Sequence, residues 1–398
     1  MRGDTSNKKI SVAQATKESI DVAVKRTSKR KKILILLFVI LNIITIGVTA
    51  LIEFTGSDSG AADNLNFTGL KLHFLIVAFL VFCAVLLAET IKYAVMLKAT
   101  TNKFHPGMAF QVAALGKYYD NVTPLGSGGQ PFQVHYLNKR NVSFGVASSL
   151  PIAGFLMNQF AFMVLMIIGI IINTSRSFVT SPVLLASAYI GMVFYVIVPV
   201  MVVLFTVMPK VSGSILRFFI RIGHKLRLVK HPDETTVKVL HNMEAYRQSL
   251  AALSKTKGLL IMVFIFSMAY QICMCSIPYF VLKAFGAGNA FIDIFFMCVY
   301  TYAAVTYIPT PGNAGAAEGT FYALFKTLKS GNIFWAMLIW RFLSYYMFLV
   351  TGVGIYVYNF VKNKRTFRNK KDEQNEGDAG NASVSYTHLR AHETSAHL

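Results

Sequence analysis

Asn121 to Phe132 reads NVTPLGSGGQPF, with two prolines and three glycines, in a chain that is 54% hydrophobic. Proline removes a backbone donor and glycine frees φ, so the segment is not continuous helix. Broken backbone among apolar spans is tolerated only where protein buries it or a watery cavity receives it. What lies on either side of this stretch therefore decides the architecture. Lys98 and Lys103 precede it, and Lys139 and Arg140 follow it. By the bias of basic residues toward the cytoplasm, both flanks lie on the inner side. Gly107 to Tyr119 can form a helix, but Pro131 to Asn138 would rise only about 12 Å, too little to cross. The economical solution is a re-entrant element: one helix enters from the cytoplasm, the backbone breaks at PLGSGGQP, and a short second helix leads back out.

Working outward, a basic leader, residues 1–32, ends in KRTSKRKK and reads as a cytoplasmic tail. Ile33 to Ile52 is a run about 30 Å long as a helix, which matches the hydrocarbon thickness. Leu72 to Leu97 returns inward, Phe144 to Ile172 crosses outward and Pro182 to Met208 crosses back. Residues 209–257 hold ten Lys or Arg against three acids, and so read as a cytoplasmic basic loop. Within that loop Arg217, Arg221 and Lys225 share one helical face beside apolar residues, as an interfacial helix that attracts anionic lipid would place them. Gly258 to Phe285 crosses outward, and Ile333 to Phe360 crosses inward before KNKRTFRNKK.

A second interruption, PTPGNAGAAEG at Pro309 to Gly319, splits the apolar run that begins at Phe291. Parity makes this element start and finish outside, upside down relative to the first. The expected fold is an all-α polytopic membrane protein with about six full spans and two oppositely oriented re-entrant broken-helix hairpins, an inverted repeat. Its transmembrane domain covers residues 33–361, and residues 362–398 form a polar tail whose last 14 residues differ in composition from everything upstream. Both termini are expected in the cytoplasm.

The formal charge of +21 does not point to nucleic acid, because the basic residues gather beside apolar spans and no recognition module accompanies them. Cys83, Cys273, Cys275 and Cys298 lie inside apolar runs without metal-ligand spacing, so no metal or cofactor is expected. Ser127 lacks a supporting His and Asp, and no catalytic residue is assigned. Ionisable groups in the membrane are costly, so Glu318 and Arg341 are candidate substrate-binding residues and possible partners of each other. Glu89 and Lys92, three residues apart, read rather as a self-neutralising pair. Lys117, Asp120, Asn121 and Gln130 surround the first break and complete the candidate set, with half-helix N-termini available to a phosphate or carboxylate. The break residues themselves are Pro124, Gly126, Gly128, Gly129 and Pro131 in the first element, and Pro309, Pro311, Gly312, Gly315 and Gly319 in the second.

The stretches YYDNVTPLGSGGQPFQVHYLNKRNVS, PTPGNAGAAEGTFYALF and WRFLSYYMFLVTGVGI resemble the bacterial flippase-like integral membrane family related to the transmembrane half of lysylphosphatidylglycerol synthase, the multiple peptide resistance factor. The resemblance covers about Ile33 to Phe360. It implies a bacterial plasma-membrane protein that moves anionic or aminoacylated phospholipid between leaflets, without the soluble aminoacyltransferase domain of full-length synthases. Membrane phospholipids are the expected partners, and a second copy of the chain or a separate synthase is left open. Two other classes stay open as well: a phosphatidylglycerol lysyltransferase-related enzyme or subunit, and a structural or regulatory membrane protein with no substrate.

Overall fold

A computed structural model describes residues 70–208, 232–325 and 333–359, with scattered positions at 213–215, 218, 220, 221, 361 and 362. The expected first span, both tails, Arg217 and Lys225 lie outside the described residues, whereas Arg221 is exposed. The described elements are helices: α1 (Leu72–Thr101), α2 (Pro106–Val122), α3 (Gly129–Lys139), α4 (Phe144–Arg176), α5 (Pro182–Val207), α6 (Pro232–Lys255), α7 (Lys257–Ala284), α8 (Phe291–Val305), α9 (Ala316–Phe325) and α10 (Ile333–Arg341). A π-helical turn, Phe342–Tyr346, continues α10. Of the described residues, those through Phe348 make one compact unit and those from Leu349 onward belong to a second.

Among the described residues five helices are long and apolar enough to cross a membrane: Leu72–Thr101, Phe144–Arg176, Pro182–Leu204, Lys257–Ala284 and Ile333–Asn359. They coincide with the five expected crossings that fall on described residues. Their outer faces leave large apolar side chains exposed, such as Ile76 and Leu80 on α1 and Val193, Ile197 and Met201 on α5. In water such bands would be a liability; against hydrocarbon they are matched to their surroundings. Pro151, Pro199 and Pro278 sit inside α4, α5 and α7. Membrane helices accommodate such prolines because neighbouring groups take up the freed carbonyls.

The two interrupted segments form two pairs of short helices. At 1.5 Å per residue, α2 and α3 rise about 26 and 16 Å, and α8 and α9 about 22 and 15 Å, so no member spans a 30 Å core alone. Each pair has its own apolar packing. Ala109, Val112 and Leu137 pack with Met96, Leu97 and Leu150 around the first pair. Around the second, Phe321 stacks on Trp340 at 4.5 Å and on Phe325 at 4.1 Å, within a larger core that includes Phe82 and Tyr300. Gly191 lets α5 lie directly against the Ala303 carbonyl of α8, where a Cβ would overlap it.

Three of the expected break residues fall within helices, and Gly129 is the first residue of α3. Pro131 is the third residue of α3, where a proline costs little because first-turn N–H groups lack intrahelical acceptors in any case. Gly319 is the fourth residue of α9, with open space where its Cβ would stand. The second break is accordingly shorter than Pro309 to Gly319, because AAEG already has the composition of a helix start.

Candidate functional site

At the first break α2 ends at Val122 and the chain turns extended at Thr123. Leu125 and Gly126 then both take positive φ, 58° and 60°. A leucine in that region is strained, and surrounding contacts must hold it. The exposed start of α3 is covered from α2. Thr123 Oγ1 accepts from the Gly128 N–H at 2.8 Å, and Asp120 Oδ1 accepts from the Gly129 N–H at 2.9 Å. Gly129 is needed here, since a Cβ would meet the Asp120 carboxylate and the Gly116 carbonyl. Two of the donors that the sequence left open to a ligand are thus taken by the protein itself.

At the second break Gly312, Asn313 and Gly315 have positive φ. The loop folds on itself: Asn313 and Ala314 donate to the carbonyls of Thr310 and Pro311, and the Thr310 hydroxyl donates to the Ala314 carbonyl. Glu318 Oε2 accepts from the Gly315 N–H at 2.8 Å, while its Oε1 accepts from Arg341 Nε at 2.6 Å. Arg341 Nη2 donates to the Gly312 carbonyl at 2.7 Å, and the guanidinium lies 4.3 Å from the Tyr345 ring centroid. Glu318 and Arg341 are 2% and 5% exposed, so this pair is a clamp on the break. It is followed directly by the π-helical turn, a deformation common near functional sites.

The two breaks meet. Pro124 and Pro311 form an isolated antiparallel bridge, backbone beside backbone. Asn121 reinforces the junction, because its amide donates to the Tyr345 carbonyl at 3.5 Å and its own carbonyl accepts from the Tyr345 hydroxyl at 3.3 Å.

Polar space surrounds this junction. A cavity of about 250 Å³ is bordered by Glu89, Lys117, Asp120, Gln130, Asn158 and Tyr302, among others. A second, of about 200 Å³, is bordered by Asn121, Arg341, Ser344 and Tyr345, and it shares Lys117, Asp120 and Tyr302 with the first. The two cavities lie on either side of this shared wall and together make up a polar compartment. Of the candidate substrate-binding residues, Lys117, Asp120, Asn121, Gln130 and Arg341 border it. Glu318 borders neither lobe and stands behind Arg341.

Charges in and next to the compartment are matched. Lys92 Nζ donates to Glu89 Oε2 at 2.7 Å, with both side chains buried. Lys117 places its ammonium 4.6 Å from the Tyr270 ring centroid, a cation–π geometry, on the same helix as Asp120. Sequence reasoning passed over Asn158, Gln159, Tyr270, Gln271, Tyr302 and Ser344. The available signal was weak: each is a polar side chain inside an apolar run, as in FLMNQF, and only packing shows that these chains turn toward one space.

Residues 34–352 match the family described as Lysylphosphatidylglycerol synthase TM region. A UPF0104 membrane protein of Pyrococcus horikoshii is 21% identical over 260 residues, which cover 64% of this chain and 77% of that protein. The family match embraces four-fifths of the sequence, including both breaks and the arginine that clamps the second, and by it this chain belongs to the lysylphosphatidylglycerol synthase transmembrane-region family.

Proposed function

We propose that the protein is a lipid translocase of the bacterial plasma membrane, moving the headgroups of anionic or aminoacylated phospholipids such as lysylphosphatidylglycerol between leaflets. The α2/α3 and α8/α9 pairs are then re-entrant elements entering from opposite sides, with both termini in the cytoplasm. The observation that carries this reading is the junction of the two breaks beside a polar compartment. A charged group at the centre of a bilayer costs several kcal/mol. A compartment bordered by Lys117, Asp120 and Gln130 supplies polar partners while acyl chains stay in lipid. Helices too short to span and broken at their meeting point are the arrangement that transporters use to place polar backbone at mid-membrane.

The test is leaflet exchange in proteoliposomes with fluorescent phosphatidylglycerol and aminoacylated phosphatidylglycerol. Purified protein should accelerate exchange above protein-free vesicles, and Gln130→Leu should slow it at least tenfold with unchanged reconstitution. Exchange no faster than in empty vesicles would overturn the proposal. A chemically altered lipid would instead assign a transferase.

A further inference from the structure

The compartment holds few uncommitted charges and many groups that can both donate and accept. Its bordering carboxylates and cations, with their direct partners, balance: Glu89, Asp120 and Glu318 stand against Lys92, Lys117 and Arg341. Arg341 is spent on Glu318 and the Gly312 carbonyl. Of the three cations, Lys92 and Arg341 are held in ion pairs and Lys117 lies against the Tyr270 ring, so a phosphate entering here meets no net positive charge.

Carboxamides are abundant by contrast. Gln133 is consumed structurally, accepting from the Tyr93 hydroxyl and donating to the Val112 carbonyl. Gln130, Asn158, Gln159 and Asn313 border the larger lobe as well. Three bordering residues also carry polar atoms that are shielded from solvent and have no hydrogen-bond partner: Asn158 Oδ1, the Tyr302 hydroxyl and Ser344 Oγ. Asn158 and Ser344 are 9% and 7% exposed. Leaving such groups unmade is costly. Their needs differ. Asn158 Oδ1 requires a donor, which a phosphodiester is not, while the Tyr302 and Ser344 hydroxyls have protons to give, which an ammonium cannot receive. A hydroxyl does both from a single group, where a zwitterionic headgroup needs two groups set apart.

We infer that the compartment selects its lipid by headgroup hydroxyls, those of a glycerol or sugar, through Asn158, Tyr302 and Ser344, and that headgroup charge contributes little. This rests on the lipid-handling reading above and deepens it by naming the chemistry that is recognised. Binding and exchange are measured separately, so the two fail separately: absent exchange removes translocation, whereas the binding series below decides recognition.

The experiment is equilibrium binding to the full-length protein in detergent of three fluorescent lipids with the same acyl chains. Phosphatidylglycerol carries both hydroxyls and a charge, a monoglycosyl diacylglycerol carries hydroxyls without charge, and phosphatidylethanol carries the charge without hydroxyls. The first two should bind within about threefold of each other and phosphatidylethanol at least tenfold more weakly. Asn158→Leu, Tyr302→Phe and Ser344→Ala should each weaken the two hydroxyl-bearing lipids about fivefold, the effect of one ordinary hydrogen bond, and leave phosphatidylethanol unchanged. Phosphatidylethanol binding as tightly as phosphatidylglycerol, or no binding of any of the three, overturns the inference. The wild-type series decides the matter even where a variant fails to fold.

Discussion

Glu318 and Arg341 show how a suspicion about ionisable residues changes meaning once partners are known. From sequence, each is an expensive intramembrane group, and a cavity residue that loses its partner can rehydrate. In the folded protein these two hold each other and the broken backbone: Glu318 to Gly315 and Arg341, Arg341 to Glu318 and Gly312. Removing one partner leaves a buried charge uncompensated, at a cost of about 3–5 kcal/mol, whereas removing both is far milder. Glu318→Gln and Arg341→Met are therefore expected each to lower the thermal unfolding midpoint in detergent sharply, with the double variant well short of the sum. Strict additivity would show that the pair does not act as a unit. Arg176 and Asp293 make the contrasting case, a bidentate pair at 2.6 and 3.0 Å with its arginine side chain 45% exposed, where solvent competes for both partners.

The broken helices depend on a few backbone positions, and composition alone overstates how many. Gly312 and Gly319 both look like break glycines in PTPGNAGAAEG. Gly312 has φ +57° and a Cβ there would run into the Tyr345 ring, while Gly319 is helical with open space beside it. Gly312→Ala should destabilise by at least about 1–2 kcal/mol from the left-handed backbone alone. Gly319→Ala should be neutral or stabilising by up to about 1 kcal/mol, because alanine loses less entropy in a helix. Unfolding of the two variants side by side checks this, and equal effects would mean that the turn at Gly312 is not fixed by its backbone conformation. In the first pair the same logic singles out Asp120, whose carboxylate caps Gly129 while also bordering the compartment. One side chain thus links the integrity of the break to the chemistry of the site.

The arrangement of all the spans makes a topological prediction. Single cysteines placed at the exposed positions Lys103 and Lys139 should react only with reagent admitted to the cytoplasm, and those at Thr180 and Gly288 with impermeant reagent from outside. Cys83 is exposed on the flank of α1 and should first be replaced by alanine; Cys275 and Cys298 are buried. External labelling at Lys103 would overturn the proposed opposed orientation of the two broken pairs, and with it the proposed inverted arrangement.

Sequence by itself determined the five described spans and the existence of two interruptions, because both follow from local physics. Lipid demands about 20 apolar residues per crossing and a backbone satisfied within its own segment, so NVTPLGSGGQPF and PTPGNAG announce interruptions wherever they occur. Basic residues beside the spans likewise carry an orientation that can be read without coordinates. Only the tertiary structure decided that the breaks touch at Pro124 and Pro311, that Glu318 is a clamp behind the compartment, and that Asn158, Tyr302 and Ser344 border it. The contact between Asn121 and Tyr345 spans 224 residues of sequence. Nothing local encodes such a contact: helices in hydrocarbon meet through side-chain packing and hydrogen bonds, and which polar faces converge is settled only when all the helices have found their neighbours.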